Sequence, residues 1–239
     1  MSLIYCAVDT PDLKRAKELA QMMARAGCGV KLGLEFFAHH GGAGVAAIRD
    51  SVPDVSLFLD LKFHDIPNTV AGALRGVARL GVSYVNVHAS GGRSMMEAAR
   101  ESLNDEAVKS GVYPPKLLAV TVLTSLDDDA LRDVGQSVPA ADQVLRLAGL
   151  TRSCGLAGVV CSAAEISVLR GALGPDFVLM VPGIRPAGST VGDQKRVMTP
   201  EEAIRLGATH LVIGRPITGS PDPEATARDI LLSLNHSAV

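Results

Sequence analysis

The stretch FLDLKFHDIPNTV, residues 58–70, is apolar enough for a buried strand, yet Asp60, Lys62, His64 and Asp65 crowd ionisable groups into it. Side chains of a strand alternate between two faces, so Phe58, Asp60 and Lys62 share one face. Leu57, Leu59 and Leu61 share the other. A leucine face packs on helices, which turns Asp60 and Lys62 to the opposite side. Pro67 then marks the first turn of a helix, where its missing N–H costs nothing. The stretch is therefore a strand running into a helix, with charge gathered where the strand ends.

The same unit recurs along the chain. Apolar, β-rich runs occur at 3–9, 29–33, 56–62, 83–88, 116–123, 155–161, 177–183 and 209–214. Between them lie stretches such as DLKRAKELAQMMARAG (12–27) and SMMEAARESLNDEAVKS (94–110), with apolar residues at helical spacing. Thr10-Pro11-Asp12 and Thr199-Pro200-Glu201-Glu202 mark further helix starts. Strict βα alternation with near-continuous apolar strands predicts a parallel sheet covered by helices. Eight such units in 239 residues predict a (β/α)₈ TIM barrel, one catalytic domain spanning 1–239. An open doubly wound sheet would carry a G-x-G-x-x-G turn after its first strand, and none is present.

Functional groups of such barrels sit at the carboxyl ends of the strands. Asp9 ends the first run, Lys31 lies near the end of the second, and Asp60 and Lys62 end the third. Alternating acid and base on three consecutive strands forms a set that neutralises itself at the barrel mouth. Asp65 follows in the loop, where capping the next helix is its plain structural role. His64 is read as structural, holding that loop, and His88 as a weaker candidate; His39, His40, His210 and His236 have no evident partner. Asp9, Asp60 and Asp65 could chelate a cation, but Lys31 and Lys62 among them would repel it, so no metal is expected.

The late loops carry a second signal. VPGIRPAGSTVGDQKRVMTP (181–200) is long, Gly/Pro-rich and aperiodic, and IGRPITGSPDP (213–223) follows the eighth strand. Loops seven and eight of such barrels commonly bind phosphate. Arg185, Gln194 and Arg215 are placed to help, and Gly214 allows close backbone approach. A phosphorylated small molecule is the expected substrate class, its reacting end near Lys62.

Composition excludes other classes. The chain is 47% hydrophobic and 20% charged with a net charge of −2, so it shows no basic footprint for a nucleic-acid polymer. Aromatics at 3%, with no Trp, give no stacking platform for bases. Cys6, Cys28, Cys154 and Cys161 lack metal-finger or C-x-x-C spacing and read as reduced, mostly buried thiols of a cytoplasmic protein. No export signal is visible, and no window approaches the roughly 18 apolar residues of a membrane span.

DLKFHDIPNT (60–69) closely resembles the signature of the orotidine 5′-phosphate decarboxylase family. The resemblance extends over the chain through AVD (7–9), KLGLEFF (31–37), TVLTS (121–125), VPGIRP (181–186) with DQKR (193–196), and VIGRPIT (212–218). It implies a cofactor-free and metal-free conversion of orotidine 5′-monophosphate (OMP) to UMP and CO₂ in pyrimidine biosynthesis. It further implies a catalytic array of Lys31, Asp60, Lys62 and Asp65, with Lys62 protonating C6. Asp9 and Lys31 would hold the ribose, Thr124 and Ser125 the pyrimidine, and Arg185, Gln194, Gly214 and Arg215 the phosphate. Pro182 is a further substrate contact by the same resemblance. Members are homodimers, which implies that Asp65 and Thr69, with Ile66 nearby, reach the partner's site. The rivals are a related metal-dependent barrel acting on a sugar phosphate, such as a hexulose-phosphate synthase, and a non-catalytic phosphate sensor. Lys31, the HDIPNT continuation and the Arg185/Gln194 pair favour the nucleotide enzyme.

Overall fold

The structure is a computed structural model that describes residues 2–136, 138–186 and 198–236. Eight strands form a closed, wholly parallel barrel in which each strand pairs with its neighbours in sequence and the last returns to the first. They are β1 (Ile4–Ala7), β2 (Gly29–Leu32), β3 (Leu57–Phe63), β4 (Tyr84–His88), β5 (Lys116–Val120), β6 (Gly158–Val160), β7 (Val178–Pro182) and β8 (His210–Ile213). All eight expected strands are present, and most are trimmed at their ends. Helices α1 (Leu13–Ala26), α2 (Leu34–Ser51), α3 (Pro67–Ala78) and α4 (Gly92–Lys109) follow the first four strands. Then come α5 (Asp128–Asp133), α6 (Ala140–Ser153), α7 (Ile166–Leu173), α8 (Pro200–Arg205), α9 (Arg215–Thr218) and α10 (Pro223–His236).

Alternation along each strand divides the core in two. The outward residues, among them Ile4, Val30, Leu57, Leu59, Leu61, Val85 and Leu179, pack with the helices in one large cluster. Burying each such aliphatic side chain is worth roughly 1.5–3 kcal/mol, so the leucine face of β3 fixes which way Asp60 points. The inward residues Tyr5, Phe58, Tyr84, Leu118, Val120, Val160, Met180 and Val212 fill the barrel itself. Gly29 makes room for this filling, because a Cβ there would lie 2.7 Å from the Tyr5 ring.

The barrel floor is closed by neutral polar groups. Tyr5, Tyr84 and His210 meet edge to face. The Tyr5 hydroxyl lies 2.7 Å from Ser56 Oγ, which donates in turn to Ser83 Oγ at 2.9 Å. His210 Nδ1 lies 2.9 Å from the Ser2 carbonyl, which can only accept, so Nδ1 carries the proton. Nε2 of the neutral ring then accepts from the Tyr84 hydroxyl at 2.8 Å. Burial drives the His210 pKa down to about 4, against the Ser2 hydrogen bond and with help from Lys116.

Helix starts follow the marked residues. Pro67 and Pro200 open α3 and α8. Asp12 caps α1 by accepting from the Lys14 and Arg15 amides, so Pro11 lies just outside that helix.

Candidate active site

The mouth is built on an irregularity in β3. Leu59 pairs with Val85 and Phe63 with Val87, so three residues of β3 face the single Asn86 of β4. Lys62 absorbs the extra length with φ of 52°, in a region where side chains other than glycine rarely sit. The bulge removes the regular ladder bond of Lys62. Its N–H donates instead to Asn86 Oδ1 at 2.8 Å.

Asp60 occupies the centre. Lys62 Nζ lies 2.7 Å from its Oδ1, and Lys31 Nζ lies 3.2 Å from its Oδ2. Asn86 Nδ2 also donates to Oδ1, at 2.7 Å. Burial would raise the Asp60 pKa, but Lys31, Lys62 and the hydrogen bonds from Lys62 and Asn86 outweigh it and hold the carboxyl below its ordinary value. Lys31 also reaches Asp9 Oδ2 at 3.9 Å, while Asp9 Oδ1 accepts from the Phe36 amide at 3.0 Å. Asp9 thus ties the start of α2 to the charge row. Gly33 permits that approach, since a Cβ there would fall 2.3 Å from Asp9 Oδ2 and 2.8 Å from Lys31 Nζ. Asp9 lies two residues past the end of β1 rather than within it.

A cavity of about 340 Å³ opens above this row. Lys31, Asp60 and Lys62 form one side, and Leu123 and Thr124 reach in after β5. Pro182 at the end of β7 and Arg185 beyond it line the cavity, as do Gly214 and Arg215 after β8. Phe58, Val120, Val160 and Val212 make an apolar base. The barrel therefore gathers Lys31, Asp60, Lys62, Thr124, Pro182, Arg185, Gly214 and Arg215 around one space. Asp9 joins through Lys31. Gln194 lies outside the described residues.

Asp65, Ile66, Thr69 and Ser125 are exposed and do not line the cavity. Asp65 Oδ1 accepts from the Ile66 amide at 2.6 Å, and among the described residues Asp65 makes no ion pair with the lysines of its own chain. Ile66 at the start of α3 is 67% exposed and Leu34 at the start of α2 is 58% exposed, an uncovered apolar rim on one side of the mouth. His64 lies against His88, their rings 5.5 Å apart, at the opposite end of the β3–α3 loop from Pro67. Burial first, then His64 and Lys62, lowers the His88 pKa and favours the neutral ring.

Asn86 went unnoticed in the sequence. A single polar residue within YVNVH looks ordinary, but strand parity places it inward with Tyr84 and His88. An amide at that depth needs partners, and the partners are Asp60 and Lys62. Among the described residues, no group of three His, Cys, Asp or Glu side chains could hold a metal ion, and no helix is long and apolar enough to cross a membrane.

Comparison with known proteins shows the family and the fold. Residues 2–230 match the sequence model of the family described as Orotidine 5′-phosphate decarboxylase / HUMPS. A Rhodospirillum rubrum protein named orotidine 5′-phosphate decarboxylase is 56% identical over 227 residues, 94% of this chain and 91% of its own. One of the same name from Moorella thermoacetica is 52% identical over 228 residues, 95% of this chain and 90% of its own. The crystal structure of orotidine 5′-phosphate decarboxylase from Lactobacillus acidophilus superposes with a TM-score of 0.86 at 35% identity, covering 98% of this chain and all of that one.

Proposed function

The chain belongs to the Orotidine 5′-phosphate decarboxylase / HUMPS family, and from that membership we propose that it is a carboxy-lyase converting OMP to UMP and CO₂. The observation that carries the reading is Asp60 held ionised between the ammonium groups of Lys31 and Lys62 on one side of a cavity of about 340 Å³. That arrangement suits a reaction in which a carboxylate leaves and a proton arrives.

In the step itself, the bond between C6 of the pyrimidine and its carboxyl carbon breaks, and the electron pair stays on C6. CO₂ departs, and a proton of Lys62 Nζ moves to C6; the neutral amine then regains a proton from water. Lys62 thus stabilises the developing carbanion by charge and afterwards quenches it. Asp60 sits where the substrate carboxylate must lie, so repulsion between the two is relieved as CO₂ leaves. Such a reaction demands a barrier lowering near the top of the usual range, roughly 23 kcal/mol, which a fixed array can supply and a single hydrogen bond cannot. Lys31 and Asp9 hold the ribose hydroxyls, and Thr124 with Ser125 contacts the ring. Arg185 and Arg215, with Gln194 and the Gly214 backbone, hold the phosphate, and Pro182 lines that end. Binding energy at the phosphate then offsets the unfavourable contact at Asp60.

The enzyme acts as a homodimer in this reading. Asp65 is exposed beside the uncovered Ile66 and Leu34, and a second copy seated on that rim would receive Asp65 and Thr69 at its own mouth. Asp65 would complete the partner's row of alternating charge. Four unpaired, buried thiols suit the reducing cytoplasm.

Incubation of the purified protein with OMP in EDTA, followed by ultraviolet absorbance, tests the reading. Loss of orotate absorbance is expected without added metal. An unchanged spectrum, with turnover appearing only on a sugar phosphate plus Mg²⁺, would move the chain to the other branch of its family.

A further inference from the structure

We propose that Asn86 is a positioning residue for the decarboxylation, a clamp that fixes the ammonium of Lys62 from both ends. The inference rests on the functional reading above and extends it to a side chain that never faces the cavity. Asn86 Oδ1 accepts from the Lys62 backbone N–H at 2.8 Å, and its Nδ2 donates to Asp60 Oδ1 at 2.7 Å. The same Asp60 Oδ1 meets Lys62 Nζ at 2.7 Å. These contacts close a ring that runs from the Lys62 backbone through Asn86 and Asp60 to the Lys62 head group.

The chemistry of each atom leaves one orientation. A backbone N–H only donates and a carboxylate only accepts, so the amide must present its oxygen to Lys62 and its nitrogen to Asp60. With Oδ1 of Asp60 turned toward Asn86 and Lys62, Oδ2 is left for Lys31 at 3.2 Å. One amide therefore sets the plane of the carboxylate and assigns each lysine its own oxygen. It also replaces the ladder bond missing at the bulge, where Lys62 holds its left-handed backbone. Asn86 is completely buried, so neither bond is exchanged for water. A plain filler of the bulge would need only the first bond; the second goes to the group that holds the proton donor.

Two variants separate positioning from stability. Asn86→Leu keeps the branching and heavy-atom count and loses both bonds. Asn86→Asp keeps the acceptor for the Lys62 N–H and turns the donor to Asp60 into an acceptor. For both at neutral pH, kcat should fall about 100-fold, the scale of a displacement near 1 Å, while KM for OMP stays within about threefold. In Asn86→Asp the introduced carboxyl would be surrounded by Asp60 and Lys62 on β3, Lys31 beyond Asp60, and His88 with His64; β5 offers Leu118 opposite it and Val120, with Lys116 further down the strand, opposite Tyr84. Protonation there restores a donor to Asp60, so its kcat relative to wild type should climb as pH falls. A structural defect would not recover on acidification. Wild-type kcat in both variants, or a loss in Asn86→Asp that deepens toward acid, would overturn the clamp. Wild-type protein inert toward OMP would instead defeat the functional reading. The clamp would then be judged by hydrogen exchange of the Lys62 amide, which must accelerate in Asn86→Leu if the bond exists and stay unchanged if it does not.

Discussion

The mouth and the floor of the barrel bury polar groups in the same interior and treat them in opposite ways. At the floor, His210 is surrounded by Tyr5, Tyr84 and the Ser2 carbonyl, and burial keeps it neutral. At the mouth, burial pushes Asp60 toward neutrality too, but two ammonium groups and an amide overrule it. Desolvation is common to both ends, so the presence of fixed countercharge decides which end stays ionised. The floor gains stability from hydrogen bonds between neutral partners. The mouth keeps charge in place where a reaction can use it.

Removing the charge at the mouth should produce the largest effect. Lys62→Ala should lower OMP turnover by more than about 1,000-fold, since it deletes both the charge and the proton. UMP binding, measured by calorimetry, should remain detectable because the proposed phosphate contacts, Arg185 and Arg215, are elsewhere in the cavity. Near-normal turnover would end the assignment of Lys62 and with it the contrast between the two ends.

Acid tests the floor. The imidazole of an unfolded chain titrates near 6.5, whereas that of His210 titrates at about 4 when folded. Below pH 6.5 the unfolded state takes up the proton first, so stability is lost as pH falls through the window from 6.5 to 4. Roughly 3 kcal/mol should disappear across it. Asp60 remains ionised throughout that window because its pKa is lowered from an already acidic value. Urea unfolding at pH 7 and pH 4.5 reads the effect, and a His210→Asn variant should show a smaller difference between the two. An equal loss in both proteins would place the acid sensitivity elsewhere.

The smallest expected change concerns the far side of the cavity. Arg215→Ala should weaken UMP binding by about 2 kcal/mol, the size of a charge-assisted hydrogen bond. Calorimetry would show unchanged affinity if Arg215 did not touch the phosphate.

Legibility in the sequence follows the same division. Period-two alternation was enough to send Leu57, Leu59 and Leu61 outward and Asp60 inward, because buried faces tolerate no slip of register. The position of Lys62 followed too, although the bulge interrupts the regular strand there. The bulge itself leaves no mark in FLDLKF, which is a good strand by composition. Asn86 was missed for the same reason, since its partners come from the neighbouring strand. His210 had no visible partner because Tyr84 and Ser2 reach it only when the barrel closes β8 against β1. Gly, Pro and Arg drew attention to the two late loops, and Arg185, Gly214 and Arg215 do line the cavity. Asp65 marks the limit of reasoning from one chain: among the described residues of its own barrel it accepts only from the neighbouring Ile66 amide, and its proposed role needs a second copy.

The left-handed backbone at Lys62 sets two demands on one position that no residue meets together. Holding that conformation costs a side chain roughly 1–2 kcal/mol, a cost from which glycine is exempt. A library screened for thermal tolerance would therefore drift toward Lys62→Gly, and one screened for turnover would hold the lysine. If Lys62 is the proton donor proposed above, the residue at the reacting centre is also a built-in weakness of the scaffold, and improvement of one property runs against the other.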